Sequence, residues 1–138
     1  MSDPGGGGVD YAALFAAMPS AVVVLDRHLH VVAANAAYLA VTRRRPEQLL
    51  GRSFFDAYPP DPDDPTSHGD EMQRRSLESV LASGEPSLLL LHRFAIPRPD
   101  TAGSFDPRWW NVVNQPVRDA DGQVAFIIHR IEDISAFE

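Results

Sequence analysis

The sequence predicts an α+β fold, an antiparallel sheet with helices gathered on one side. Three observations carry this. Short β-branched phrases stand towards both ends of the chain, helical phrases fill the middle, and polar turns join strands that are neighbours in sequence. Strands joined that tightly pair antiparallel. A chain of 138 residues fits one domain that buries its own core without disulfide or metal.

Residues 1–8, "MSDPGGGG", read as a flexible leader, since a run of glycines has no side chains to pack. Residues 9–138 read as a single domain. Tyr11, Leu14, Phe15 and Met18 recur at helical spacing behind a capping Asp10, and Pro19 stops that helix. "SAVVVLD" and "VVAAN" flank the polar turn "DRHLH" and form a hairpin. Asn35 stands where a cap belongs, before the helical "AAYLAVT". Pro46 opens a short helix, "PEQLL", closed by Gly51. The proline- and aspartate-rich residues 59–70 read as a loop. An amphipathic helix follows to Gly84, with Met72, Leu77, Val80 and Leu81 as its apolar residues. Between Pro86 and Pro97 lies an apolar run about the length of a strand, "SLLLLHRFAI". "PRPDTAGSFDP" reads as a loop. "RWWNVVNQPV" and "VAFIIHRIED" read as strands joined through Asp121-Gly122, the strongest hairpin signal in the chain.

Composition narrows the function. With 12 basic against 19 acidic residues the net charge is −7, a poor match to nucleic acid or an anionic membrane. The one basic run, Arg43-Arg44-Arg45, reads as a solvated turn. No apolar stretch approaches the ~20 residues of a membrane span, and the first residues lack the basic and apolar parts of a secretion signal. A cytoplasmic location is expected. The absence of cysteine excludes disulfides, thiolate metal sites and cysteine nucleophiles.

In order and phrasing the chain resembles the PAS sensor domains of bacterial signalling proteins. The resemblance rests on "AVVVLDRHLHVVAANAAYLAVT" with its junction asparagine Asn35, on "RRPEQLLGRSFFD" with its Gly-Arg turn, and on "NQPVRDADGQVAFIIHRIEDIS", which ends in Asp133-Ile134-Ser135. It covers about residues 9–135. It implies a five-stranded antiparallel sheet with helices packed on one face, an N-terminal helix, and a small pocket between sheet and helices. It further implies a non-enzymatic sensory module that binds a small molecule or relays a signal by dimerisation. The output would be an effector such as a histidine kinase of a two-component system. The chain itself holds no nucleotide-binding glycine motif, so a sensor domain or a stand-alone regulator is expected rather than the kinase.

The candidate residues follow from strand alternation and from the resemblance. Ile127, His129 and Ile131 share one face of the last strand, while Phe126, Ile128, Arg130 and Glu132 share the other. The charges mark the second face as outward, so the His129 face is expected inward, against core or pocket. A buried imidazole there needs a hydrogen-bond partner, either protein or ligand. Asn111, Val113 and Gln115 also share a face, which the resemblance puts on the pocket. Trp109 and Trp110 point opposite ways. The resemblance makes Asp133, Ile134 and Ser135 the signal output, and Leu14, Phe15 and Met18 are the expected homodimer contact.

Cofactor expectations are negative. Light-sensing PAS domains that bind flavin use a cysteine shortly after the Gly-Arg turn, and Phe54 stands at the matching place, so no covalent flavin adduct forms. Nothing supports a non-covalent flavin. The one histidine in the central helical region, His68, lies in the proline-rich loop and reads as solvated rather than as a haem ligand. His28 and His30 have chelate spacing but no third ligand, and no metal is expected. His92 alone decides nothing. The competing class is a small enzyme of PAS-like cone fold, with His129 and Asp133 or Asp26 as acid and base.

Overall fold

The computed structural model describes residues 8–57, 69–98 and 100–137. Apart from Gly8, the leader lies outside the described residues, as do most of the proline-rich loop and His68 with it.

Helix α1 (Tyr11–Ala17) starts where Asp10 accepts a hydrogen bond from the Ala13 amide. Strands β1 (Ala21–Asp26) and β2 (Val31–Ala34) form the first hairpin. Asp26 closes its turn by accepting from the His28 and His30 amides. Helix α2 (Ala36–Thr42) begins at Asn35, which does more than cap. Its Oδ1 accepts from the Tyr38 amide and from Val22 of β1, both at 3.0 Å, and its Nδ2 donates to the Ser20 carbonyl. One buried side chain thus fixes the helix to the sheet. Short helices α3 (Pro46–Leu49) and α4 (Phe54–Ala57) lead to α5 (Gly69–Ser83).

The predicted apolar face of α5 needs one correction. Leu77 and Val80 are buried, but Met72 is 45% exposed, and the inward stripe is completed by Gln73 and Ser76. These four stand at helical spacing on one side.

Strand β3 (Ser87–Arg93) ends short of the expected Ile96, and a two-residue ladder follows, β4 (Ile96–Pro97) with β5 (Phe105–Asp106), at the end of the expected strand and within the expected loop. Strands β6 (Trp109–Arg118) and β7 (Val124–Asp133) form the last hairpin. Asp119 accepts from the Asp121 and Gln123 amides in its turn. The main sheet is antiparallel, in the order β2-β1-β7-β6-β3. Its inner face supplies Val23, Leu25, Val112, Ile127 and Ile131 to one core shared with Tyr38, Leu49, Phe54, Leu77 and Val80 from the helices. Full burial of each such side chain is worth about 1.5–3 kcal/mol.

Candidate functional site

The last strand orients the site. On β7 Ile127, His129 and Ile131 are buried, while Phe126, Arg130 and Glu132 are exposed. Across the hairpin Val112 faces Ile131 and Asn114 faces His129. Directly opposed residues share a face, so the inner face of β6 is Trp110, Val112 and Asn114, all buried.

The expectation that Asn111, Val113 and Gln115 face the pocket is therefore wrong. They lie on the other face, half-buried or exposed. A slip of one residue turns every side chain of a strand over, and the turn around Asp119 sets that register.

Asn111 serves β3 instead. Leu89 pairs with Val112, yet His92 pairs with Trp110, so β3 carries one residue more than β6 between these points. This β-bulge puts Leu91 at φ 54. Asn111 Oδ1 accepts from the Leu91 amide at 3.1 Å. Leu90 and Leu91 both face out, and His92 turns in, 2% exposed. Regular alternation from Leu89 would have put His92 outside.

His129 is 1% exposed and heads a buried polar chain. Its Nδ1 lies 2.6 Å from Asn114 Oδ1. Asn114 Nδ2 donates to Ser76 Oγ at 2.9 Å, and Ser76 Oγ donates to Ser87 Oγ at 2.8 Å. With the Asn114 nitrogen committed to Ser76, its oxygen is the acceptor, so His129 carries its proton on Nδ1. Burial pushes the His129 imidazole down to about 3, with a smaller contribution from nearby His92. Burial also lowers His92. Both rings are neutral near pH 7.

Against His129 lies a cavity of about 40 Å³. Tyr38 and Thr42 of α2, Phe54 and Phe55 of α4, Gln73 of α5, Phe94 and Ile96 beyond β3, Trp110 and Val112 of β6, and Ile131 complete its wall. Of the six expected pocket residues, the structure brings His129 and Ile131 to this wall. Ile127 packs in the core beside it. Trp110 faces in and donates from Nε1 to the Phe94 carbonyl, while Trp109 is half-buried on the outer face. Gln73 was missed, although its position four residues before Leu77 marks it. It is 6% exposed, and Gln73 Oε1 and both His92 ring nitrogens have no hydrogen-bond partner.

At the end of β7, Asp133 Oδ1 accepts from the Ser135 amide and hydroxyl at 3.0 and 2.6 Å. Asp133 Oδ2 meets Arg108 at 2.7 Å. Ser135 Oγ in turn accepts from the Trp109 amide. Arg108 also holds Asp106, which is paired with Arg43 at the end of α2 and with Arg98. Burial alone would raise the Asp133 carboxyl, but the Ser135 hydrogen bonds and Arg108 outweigh it and hold it below the usual carboxylate value. Arg108, chiefly by its hydrogen bond, does the same for Asp106. Nothing in the local sequence marks Arg108 or Asp106, because the contacts that tie them to Asp133 and Arg43 join residues far apart along the chain.

Neither acid imagined as a catalytic partner reaches His129. Asp133 is engaged as described, Asp26 closes the first turn, and His129 meets Asn114. Among the described residues no cluster of three His, Asp or Glu side chains is placed to hold a metal. His28 and His30 are exposed at the first turn. On α1 Leu14 is 57% and Met18 40% exposed, while Phe15 is half-buried.

Comparison with known proteins agrees with this geometry. The family model described as "PAS fold" matches residues 15–138. No curated protein matches the chain. Among solved structures, the PAS domain of a protein from Colwellia psychrerythraea superposes with a TM-score of 0.69 at 14% identity, covering 91% of this chain and 95% of that one. The PAS domain of BvgS from Bordetella pertussis gives 0.63 at 22% identity, over 88% and 82%. A sensory box sensor histidine kinase from Vibrio cholerae gives 0.60 at 13% identity, over 91% and 89%. With the sheet order, the cavity and the family match in agreement, the chain belongs to the PAS fold family of sensory signalling modules.

Proposed function

We propose that this domain senses a small molecule held in the cavity beside His129 and passes its occupancy to an effector through Asp133, Ile134 and Ser135. The observation that carries this is the cavity between sheet and helices, walled largely by apolar and aromatic side chains with Thr42, Gln73 and His129 as its polar members.

Two connections lead from the cavity to the output segment. His129 and Ile131 line the wall, and Asp133 follows on the same strand. Thr42 lines it too, and the next residue, Arg43, reaches Asp133 through Asp106 and Arg108. The effector is a histidine kinase of a two-component system or another output domain, working in the cytoplasm. The active form is a homodimer joined through Leu14, Phe15 and Met18, since α1 buries no residue fully within the subunit.

Flavin and haem are poor candidates on size. About 40 Å³ compares with roughly 150 Å³ for a cavity that holds benzene, and both cofactors are several times larger than benzene. Native mass spectrometry and an absorption spectrum of the purified protein test the reading. A retained small mass without visible absorption supports it. A visible chromophore overturns the small colourless ligand; no binding by any small molecule overturns ligand sensing and leaves a dimerising relay.

A further inference from the structure

We propose that β3 is a two-register switch governed by pH: a neutral His92 is held inside by the bulge, and a protonated His92 lets residues 90–93 slide by one position, which turns His92 out and Leu91 in. This goes beyond the sensing of a small molecule and does not depend on it.

Three costs meet in one short stretch of an edge strand. Leu91 stands at φ 54, a backbone conformation that a residue with a bulky side chain rarely adopts. Leu90 and Leu91 are 67% and 62% exposed. His92 is buried, and neither of its ring nitrogens has a hydrogen-bond partner, whereas folded proteins pair nearly all such atoms. Removing the bulge relieves all three at once. Leu90 then stands opposite Asn111, Leu91 opposite Trp110 on the inner face, and His92 opposite Trp109 on the outer face. The extra residue passes into the connection between β3 and β4 as slack.

The bulged register has its own supports. Asn111 Oδ1 accepts from the Leu91 amide, the Phe94 amide donates to the Arg108 carbonyl, and the Phe94 carbonyl accepts from Trp110 Nε1. The slide breaks these bonds, brings Arg93 opposite Arg108, and withdraws Phe94 from the cavity wall. With costs and supports on both sides, one proton can tip the balance.

The proton acts on His92 because the bulged register has no place for its charge. Burial lowers the pKa of the ring there. The elements packed on β3 turn uncharged residues inward: Gln73, Ser76 and Leu77 of α5, and Trp110, Val112 and Asn114 of β6. His129 of β7 is the titratable group that acts with it, and it offers no negative charge. On the outer face β7 presents Arg130 and Glu132, which are of opposite sign, so an exposed His92 titrates near the ordinary ~6.5. Protonation therefore favours the regular register. The switch point lies below 6.5 by about one pH unit for each tenfold by which the neutral protein prefers the bulge.

The test is an NMR titration of the 13C,15N-labelled 138-residue chain from about pH 7.5 to 4.5. One shared midpoint is expected for the His92 ring nitrogens, the Leu91 methyls and the Trp110 indole N–H, with new Leu91–Trp110 contacts below it and a neutral His129 throughout. Asn111→Ala removes a support of the bulge and should raise the midpoint by about half to one pH unit. Leu91→Gly eases the bulge and removes the side chain that the slide would bury, so it should lower the midpoint by about one pH unit or more. A histidine that merely titrates in place gains water from the same substitution and predicts no fall. The proposal is overturned if His92 titrates while Leu91 and Trp110 stay still, or if its ring stays neutral until the whole chain unfolds. An unchanged or raised midpoint in Leu91→Gly, or no rise in Asn111→Ala, overturns it equally, so either variant decides if the other does not fold.

Discussion

Acidification should destabilise this protein through His129 before the carboxyls of Asp106 and Asp133 titrate. The ring is buried and neutral, with its pKa pushed down to about 3, whereas an unfolded histidine titrates near 6.5. Between these values the unfolded chain binds a proton that the folded chain refuses. Stability from this group is therefore fully present above about pH 6.5 and falls as the pH drops towards 3. The slope approaches about 1.4 kcal/mol per pH unit, so moving from pH 6.5 to 4.5 removes about 2 kcal/mol. That is a large share of the ~5–15 kcal/mol typical of a domain. The loss precedes that of Asp106 and Asp133, whose carboxyls are held low and titrate further down. His92 of β3 is lowered too and adds to the slope in the same direction. The assay is urea unfolding at pH 6.5, 5.5 and 4.5, read by the fluorescence of buried Trp110. His129→Asn is the control, because its amide nitrogen can take the place of Nδ1 towards Asn114. It should be less stable at pH 6.5, yet lose about 2 kcal/mol less than wild type on going to pH 4.5. Parallel losses in the two proteins would refute a buried neutral imidazole at position 129.

Other perturbations address the frame and the output. Asn35→Ala removes a helix cap and leaves the Val22 amide without its acceptor; the expected loss is about 2–4 kcal/mol by denaturant titration. Gly84 has φ +70, and a Cβ there would meet the Arg118 guanidinium, whereas Gly103, at φ +79, has open space around it. Gly84→Ala should therefore lower the melting temperature more than Gly103→Ala. Arg108→Gln frees Asp133 and Asp106 from their shared cation; hydrogen exchange at the Ile134 and Ser135 amides should speed up, and the Asp133 carboxyl should titrate at higher pH. Leu14→Lys with Met18→Lys should turn a dimer into a monomer by light scattering without changing the circular dichroism.

Much of this protein was legible locally. Asp10 and Asn35 cap the helices they precede, and Asp121-Gly122 lies in the last turn, because caps and turns satisfy backbone groups within a few residues. Alternation along β7 was enough to turn His129 inward, since a strand flanked by charges has only one face to bury. The fold class followed from these pieces in order. Tertiary structure decided what depends on how strands meet. Register across the last hairpin put Asn114, not Asn111, beside His129, and one extra residue in β3 brought His92 inside. Packing of α5 against the sheet set Gln73 on the cavity wall, and long-range ion pairing joined Arg43, Asp106 and Arg108 to Asp133. The division has a physical cause. Backbone hydrogen bonding and hydrophobic period act over a few residues and are written in the chain. Register, bulges and buried polar contacts are settled by which distant groups must share one core.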